Sequence, residues 1–332
     1  MKSEENALQV LDLGVMDVEF PRRDVELILT ELGRESQRKR KLPASMTVYL
    51  VIALGLITSV GARQVLRHLL DQVRDRHRWG GRLASEAAIT QARKRIGVEP
   101  LRTIFERFVR PLAPKWLTTG WFRSWRVVSI DGSTVRVLDT DQNEARFGRP
   151  KAVRGKTAYP QMRLVGLLEN GTRILFAVAF GAYRIAENTL ARSVLTRLTP
   201  EMLCLADRGF FGYALWDQAV ATGAALLWRV KSTLKLPVLE RLQDGSYRSE
   251  LRSPDKRKRA VRVISFTLTF KSGKATQYRL ITTILDPHLA PALELAHLYA
   301  KRWTIETMFE EVKVRMGGPK FLLRSGSPDL VE

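Results

Sequence analysis

The chain has 332 residues, 45% of them hydrophobic, which excludes wholesale disorder and allows two domains or one large domain with an insertion. Lysine and arginine (55) outnumber aspartate and glutamate (34), and the net charge of +21 favours a polyanionic partner, nucleic acid before an anionic membrane surface. The only cysteine, Cys204, excludes an internal disulfide and a cysteine-based zinc site, and the four histidines lack metal-ligand spacing.

The first third of the chain has the pattern of an all-helical, basic domain. Residues 1–20 are an acidic opening with little pattern, and we assign residues 21–118 to the helical domain. Helical patterns follow one another in residues 20–34, 46–58, 61–73, 84–96 and 100–112. The basic run Arg93, Lys94 and Arg95 suits DNA, although no helix-turn-helix spacing is recognisable.

The longest apolar run lies within this domain, in residues 46–60. It is shorter than the roughly 18–20 residues of a membrane span, and it lies too far along the chain to be a secretory signal. We therefore predict a buried helix. Without an export signal or paired cysteines, we expect a cytoplasmic protein with no membrane partner.

The pattern changes at Trp125 to alternating strands and helices. Residues 126–139 are expected to form two extended segments joined by a turn at Gly132. Further strands are predicted in residues 161–168, 173–180, 202–206 and 224–230, and helices in residues 187–198 and 213–223. This order predicts an α/β layer with a mixed sheet. Residues 231–286 form a β-rich insertion in this interpretation, ahead of a final helix at 291–316.

Three carboxylates are placed to meet at one edge of that sheet. Asp131 follows the apolar segment VVSI, Asp207 follows MLCLA, and Glu306 lies on the final helix. Such a set suits two divalent cations about 3.5–4 Å apart. Mg²⁺ prefers oxygen ligands of this kind, with substrate phosphate completing its shell. The predicted chemistry is in-line displacement at phosphorus.

Spacing alone does not choose among neighbouring carboxylates. Asp139 and Asp141 compete with Asp131, and Glu310, one turn further along, competes with Glu306. Each aspartate that ends an apolar segment could also do no more than start a turn.

The final helix presents four polar side chains at fixed spacing. Tyr299, Arg302, Glu306 and Lys313 fall within an arc of about 60° when the helix turns by about 100° per residue. The adjacent stripe is apolar and consists of Leu298, Ile305, Met308, Phe309, Val312 and Met316. A carboxylate can bind a hard cation, and arginine and lysine can hold phosphates. A surface helix with an Arg302–Glu306 ion pair also fits this spacing.

These residues carry a family resemblance. The chain resembles the DDE transposases of bacterial insertion sequences, in the insertion-sequence-four type marked by Tyr-x2-Arg-x3-Glu-x6-Lys, which the four polar residues of the final helix match in full. IDGSTVRVLDTDQNEARFGRP (130–150) is similar to the family's first catalytic block, and LADRGFFGYALW (205–216) to its second. The resemblance extends over nearly everything from about residue 20 onward.

The resemblance implies a ribonuclease H-like catalytic core over residues 125–332, interrupted by the β-rich insertion at 231–286. It makes Asp131, Asp207 and Glu306 the ligands of two Mg²⁺ or Mn²⁺ ions. The implied activity is cut-and-paste DNA transposition, by phosphodiester hydrolysis and strand transfer at transposon ends. Family members continue past the signature helix, so the resemblance also implies a C-terminally incomplete chain.

The resemblance also implies partners. These are double-stranded DNA, at transposon ends and target, and a second copy of the chain in a homodimeric assembly near the bacterial nucleoid. Tyr299, Arg302 and Lys313 are expected to contact phosphates near the transposon end. Trp228 is a candidate to stack on a flipped base, with a place in the core as its alternative.

Rival functions belong to other classes of protein. The first is a non-catalytic DNA-binding remnant that occupies transposon ends, since charge-driven DNA affinity requires no metal site. A stand-alone nuclease with the same metal chemistry is disfavoured by the signature helix. A membrane-surface protein is weaker still, because no long basic amphipathic helix stands out.

Overall fold

A computed structural model of the protein describes residues 11–37, 42–57, 59–73, 83–150, 159–253, 255–269, 275–300, 302, 309 and 322–331. Contacts divide the chain into two compact units. The first comprises residues 1–110, 135–160 and 311–332, and the second comprises residues 111–134 and 161–310. Residues 135–160 thus join the first unit. The predicted domain boundaries, which divide the chain between residues 118 and 125, stay a prediction.

Helices dominate the described part of the first unit. They are α1 Leu13–Glu19, α2 Arg22–Glu31, α3 Ala44–Leu56, α4 Ala62–Gln72, α5 Glu86–Ile96, α6 Glu99–Phe108 and α7 Asp141–Phe147. The five helices predicted in the first third correspond to α2 to α6, with ends that agree to within four residues. The expectation of an all-helical N-terminal region is therefore confirmed.

Helix α3 is the buried helix that the apolar run predicts. Met46, Val48, Tyr49 and Leu50 have no exposed surface, and they pack in the core of the first unit. Residues 45–50 are all buried, and a run of that length requires neighbours on every side of the helix, which explains why the segment lacks a polar face. Within the described part of the chain, no helix is long and apolar enough to cross a membrane.

Two short helices of the first unit lack a predictive pattern. Helix α1 begins after Asp12, whose carboxylate accepts hydrogen bonds from the N–H groups of Gly14 and Val15. Helix α7 begins after Thr140, whose hydroxyl accepts from the N–H of Asn143. Each helix has only seven residues, too few for an apolar stripe to repeat, so the side-chain cap was the available signal.

One large mixed sheet runs through the second unit. Its strands are β1 Trp121–Phe122, β2 Trp125–Val137, β3 Gln161–Glu169, β4 Leu175–Ala182, β5 Met202–Ala206, β6 Ala225–Arg229, β7 Glu240–Arg241, β8 Tyr247–Arg252, β9 Lys258–Thr269 and β10 Ala275–Thr282. The strand order is β4-β3-β2-β5-β6-β10-β9-β8-β7. Strands β2, β5 and β6 are parallel neighbours, and β3–β4 is an antiparallel hairpin. The predicted α/β class with a mixed sheet is confirmed. The last three residues of β2 belong to the first unit, where the short strand β11 (Leu322–Leu323) pairs with two of them, Arg136 and Val137.

The β-rich segment predicted at 231–286 extends this sheet. Its strand β10 pairs antiparallel with β6, and β9, β8 and β7 follow in order. The chain then returns as α10, Ala292–Ala300, across one face of the central strands. Leu295, Leu298 and Tyr299 of this helix share a core with Val127, Leu203, Leu205 and Leu227 of β2, β5 and β6. In chain order, the segment therefore lies between β6 and the helix that covers the parallel strands.

The predicted turn at Gly132 is wrong, because β2 is a single strand of 13 residues that passes through it. A Cβ atom at Gly132 would lie 2.6 Å from Cδ of Glu187, which is the first residue of helix α8 (Glu187–Leu195). The glycine is thus explained by the close approach of a side chain to the strand. Asp131 consequently lies within the strand.

A second glycine contact gives a stability prediction. Gly171 lies in the turn of the hairpin formed by β3 and β4, against the backbone of Gly120. A Cβ atom on Gly171 would lie 2.6 Å from the Gly120 Cα atom. Because backbone cannot rotate away, we expect Gly171→Ala to lower the free energy of unfolding by about 1–3 kcal/mol. Urea unfolding measures the change.

The matched control is Gly55→Ala, in the exposed last turn of α3. A Cβ atom there meets nothing within 4 Å. We expect this change to raise the free energy of unfolding by about 0.5–1 kcal/mol, since alanine restricts the unfolded chain. A Gly171→Ala protein as stable as Gly55→Ala would show that the backbone contact at Gly120 is not tight.

Candidate active site

Parallel pairing brings two carboxylates together. Ile130 of β2 is in register with Ala206 of β5, so the residues that follow them, Asp131 and Asp207, are neighbours across the two strands. Adjacent strands are about 4.8 Å apart, and paired residues point to the same face. Both side chains retain some exposure, 17% for Asp131 and 30% for Asp207. This register brings the two aspartates side by side, with Asp131 inside β2 and Asp207 just after the end of β5.

A third charged residue extends the row. Ala206 of β5 is in register with Trp228 of β6, which places Arg229 beside Asp207. The Arg229 Nη1 atom lies 3.4 Å from Oδ1 of Asp207. Its guanidinium also lies 4.0 Å from the ring centroid of Tyr278, a residue of β10. An ion pair on one side and an aromatic face on the other fix the position of this guanidinium.

The Asp131 carboxylate is held by two donors on different elements. Its Oδ1 atom accepts a hydrogen bond of 2.8 Å from the N–H of Gly132. Its Oδ2 atom accepts one of 3.2 Å from Nη1 of Arg302, whose side chain is 5% exposed. The arginine of the signature thus contacts the first aspartate.

The Asp207 carboxylate contacts the signature tyrosine. The Tyr299 hydroxyl lies 3.2 Å from Oδ1 of Asp207 and 3.4 Å from the carbonyl oxygen of Ala206. Burial, and then the negative charge of Asp207, raise the pKa of Tyr299 well above its ordinary value. The phenol therefore stays protonated at physiological pH and acts as a hydrogen-bond donor. Both described members of the signature consequently bind a candidate catalytic carboxylate.

The two ion pairs place an opposite charge beside each of the adjacent carboxylates. Like charges on neighbouring strands repel, and an opposite charge within about 4–6 Å of each offsets that repulsion. Arg302 supplies it to Asp131, and Arg229 supplies it to Asp207. The result is a row of carboxylate oxygens beside guanidinium groups, a combination that can bind a hard cation and a phosphate.

The donor set fits part of a divalent cation's shell. The two neighbouring carboxylates supply hard oxygen atoms of the kind that such a cation prefers. In the described part of the chain no group of three acidic, histidine or cysteine side chains is close enough to hold a metal ion. Glu306, the predicted third ligand, and its competitor Glu310 lie outside the described residues.

The competitors of Asp131 have other partners. Asp139 forms an ion pair of 2.6 Å with Arg149. Asp141 lies in the first turn of helix α7, where a negative charge stabilises the helix dipole. These placements favour Asp131 as the first carboxylate of the site.

The predicted DNA contacts differ from what surrounds these residues in the structure. Tyr299 is 2% and Arg302 4% exposed, and both face the aspartates. Trp228 has no exposed surface and packs edge-to-face on Trp216, with ring centroids 5.3 Å apart. The structure therefore places this indole in the core, the alternative given above. Lys313 lies outside the described residues, and the DNA contacts stay predictions.

Arg229 is the residue of the site that the sequence analysis missed. The available signal was its position. It ends the apolar segment ALLW as Asp207 follows MLCLA and Asp131 follows VVSI. Three charged residues at the carboxyl ends of three apolar segments predict a shared edge once the strands are taken as parallel neighbours.

Two neighbouring carboxylates, one within β2 and one just after β5, are contacted by Tyr299 of α10 and by Arg302 beyond its end, and they define a class of site suited to cations and phosphates. Comparison with known proteins gives the family. The model of the transposase DDE domain matches residues 124–327, and that of the insertion element 4 transposase N-terminal region matches residues 10–106. The chain belongs to the DDE transposase family. The resemblance seen in the sequence is confirmed.

Two relatives from Escherichia coli K12 illustrate the similarity. The chain is 29% identical over 327 residues to the transposase InsG of insertion sequence element IS4, an alignment that covers 93% of this chain and 71% of the relative. It is 29% identical over 194 residues to the putative transposase InsZ, covering 58% of this chain and 62% of that relative.

Proposed function

We propose that the protein is a metal-dependent DNA transposase with a ribonuclease H-like catalytic core, which moves a DNA element by cut-and-paste transposition. The observation that supports this best is the in-register placement of Asp131 and Asp207 on parallel strands, with Tyr299 and Arg302 against them. Family membership supplies the substrate class, and the net charge of +21 suits it.

Asp131, Asp207 and Glu306 are the proposed ligands of two Mg²⁺ or Mn²⁺ ions. When bound, such ions supply an activated water or hydroxyl and stabilise the leaving oxygen. The protein's part is to hold and orient the carboxylates. The Gly132 N–H and Arg302 orient Asp131, and Arg229 and the Tyr299 hydroxyl orient Asp207.

The guanidinium groups have a second role in this proposal. Arg229 is 18% exposed and can share its donors between Asp207 and a DNA phosphate. A phosphate drawn to Arg229 would lie beside both carboxylates, where the scissile phosphodiester has to be. Phosphate contacts of Arg302, Tyr299 and Lys313 require these side chains to reach the DNA and belong to the same proposal.

The proposed partners follow from the reaction. Double-stranded DNA is bound at the transposon ends and at the target, and a homodimer brings two ends together near the nucleoid. Residues 21–118 would form the DNA-binding helical domain and residues 125–332 the catalytic domain with its insertion at 231–286. The helical domain includes the basic last turn of α5, with Arg93, Lys94 and Arg95.

The experiment is cleavage of DNA that carries the element's own ends, with Mg²⁺ and with EDTA, by the wild type and by Glu306→Gln. We expect nicking that needs the metal ion and is lost in the variant. The glutamine keeps the side-chain shape and removes the charge that a cation requires. Specific binding of the ends without nicking by either protein would identify the chain as a DNA-binding remnant. Nicking of unrelated DNA with equal rate would identify a stand-alone nuclease.

A further inference from the structure

Helix α10, which positions Tyr299 and leads to Arg302, begins without a cap of its own. The residue before it is Pro291, which has no side-chain acceptor for the unpaired N–H groups of the first turn. The N–H of Ala292 instead donates a 2.8 Å hydrogen bond to Oδ2 of Asp244, which lies 48 positions earlier. The helix is thus capped by another part of the fold.

Asp244 lies in the turn between β7 and β8, inside the β-rich segment. The turn is closed by the N–H of Leu242, which donates to the carbonyl oxygen of Ser246 at 2.9 Å. Gly245 has a positive φ of 81°, which suits glycine. Burial raises the pKa of Asp244, but other effects outweigh it and hold the pKa below its ordinary value. These are hydrogen bonds from Ser246 and from the Ala292 N–H, and the positive charge of Arg262. Its carboxylate is therefore ionised where it meets the helix.

Arg262 of β9 joins the same turn to the same helix. Its side chain is fully buried, its Nη2 atom donates to Asp244, and its Nε atom donates to the Ser246 hydroxyl at 2.8 Å. Its Nη1 atom donates to the carbonyl oxygen of Ala290 at 2.7 Å, two residues before α10. A buried guanidinium is costly unless its donors are used, and here they connect the β-rich segment with the start of the helix.

We infer that Asp244, Ser246 and Arg262, here called the helix clamp, set the position of α10 and thereby place Tyr299 and Arg302 against the two aspartates. Tyr299 lies about 10 Å along the helix from Ala292, since each residue adds about 1.5 Å. A helix this short moves as a unit, so a shift at its start reaches the Tyr299 hydroxyl. Asp244 and Arg262 are positioning residues, and the β-rich segment is part of the site's construction. This role in catalysis rests on the proposed function.

The test compares two ion pairs, each of which includes an arginine of β9. Asp244→Ala removes the helix clamp's carboxylate. Asp217→Ala removes the partner of Arg259, whose guanidinium joins β9 to helix α9 (Tyr213–Ala221) by donating to both carboxylate oxygens of Asp217. Hydrogen exchange of backbone amides is measured for residues 292–300, and metal-dependent cleavage of the element's ends is measured in parallel.

We expect Asp244→Ala to speed exchange at Ala292 and along α10, and to slow cleavage by about 10- to 100-fold, the usual cost of misplacing reacting groups by about 1 Å. Asp217→Ala should leave the exchange rates of α10 and the cleavage rate within about twofold of the wild type. Sites that share no partners are expected to act independently. Unchanged exchange in Asp244→Ala, or equal effects in both variants, would overturn the inference. If the wild type does not cleave, the proposed function fails and exchange alone decides the clamp.

A milder variant covers the case in which Asp244→Ala does not fold. Asp244→Asn keeps an oxygen that can accept from the Ala292 N–H and removes the charge that faces Arg262. We expect it to retain more protection at Ala292 than alanine and to recover part of the cleavage rate. If the alanine variant were only less stable overall, protection would be lost throughout the protein, and the asparagine would not restore it at Ala292 in particular. Equal exchange at Ala292 in the asparagine variant and the wild type, with cleavage also equal, would show that the charge of Asp244 has no positioning role.

Discussion

Asp207→Asn is expected to lower the rate of metal-dependent DNA cleavage by about a thousandfold, equivalent to about 4 kcal/mol of transition-state stabilisation. Asparagine keeps the size of the side chain and its place beside Arg229, but it removes the negative charge that a divalent cation requires. DNA binding should persist, because losing one negative charge changes the net charge from +21 to +22. Cleavage and binding assays on the same DNA ends, with Mn²⁺ affinity from titration, measure these effects.

The control for this prediction is Asp139→Asn. Asp139 competes with Asp131 in the sequence, but its carboxylate is ion-paired with Arg149. We expect Asp139→Asn to cleave at close to the wild-type rate and Asp131→Asn to lose cleavage as Asp207→Asn does. If Asp139→Asn lost cleavage and Asp131→Asn retained it, the carboxylate pair assigned here would be the wrong one.

Glu169→Ala is expected to destabilise the protein by about 3–5 kcal/mol, because it leaves a buried network without its acceptor. The Glu169 side chain is fully buried and pairs with Arg126 of β2. It also accepts hydrogen bonds from the N–H groups of Leu112 and Ala113 and from the Thr172 hydroxyl. Removing the carboxylate leaves these donors and the guanidinium without their acceptor. Urea unfolding gives the free energy.

An exposed ion pair is the control for Glu169. Glu294 pairs with Arg123 at 2.8 Å, with both side chains nearly half exposed, and such pairs contribute about 0–1 kcal/mol. Glu294→Ala should therefore change the free energy of unfolding by less than about 1 kcal/mol. A Glu169→Ala protein that unfolds at the same urea concentration as Glu294→Ala would show that water replaces the buried carboxylate at little cost.

The sequence predicted the elements of the fold well where a pattern repeats. Helices α2 to α6 and strands β3 to β6 lie where the apolar periodicity places them. The prediction of a turn at Gly132 was wrong because it treated glycine as a strand breaker. Here the glycine is explained by the approach of Glu187, a contact 55 positions along the chain. Long-range contacts of this kind leave no local pattern.

The site was predictable in its carboxylates and less so in what surrounds them. Asp131 and Asp207 each follow an apolar segment, so a shared sheet edge could be predicted. The contacts of Tyr299 and Arg302 with these two aspartates could not be predicted, because the direction in which α10 crosses the sheet depends on its start at Ala292. That start is fixed by Asp244, and the Asp-Gly sequence around it is a local turn signal that carries no sign of a tertiary partner.

The long sequence separation within the site has a consequence for biosynthesis. Arg302 follows Asp131 by 171 residues, and Tyr299 follows Asp207 by 92. At about 5–20 residues per second, a ribosome adds Arg302 about 10–30 s after Asp131. During that interval a nascent chain holds the first aspartate without its guanidinium partner. A ribosome that stalls before α10 therefore releases a product in which Asp131 and Asp207 lack their Arg302 and Tyr299 partners.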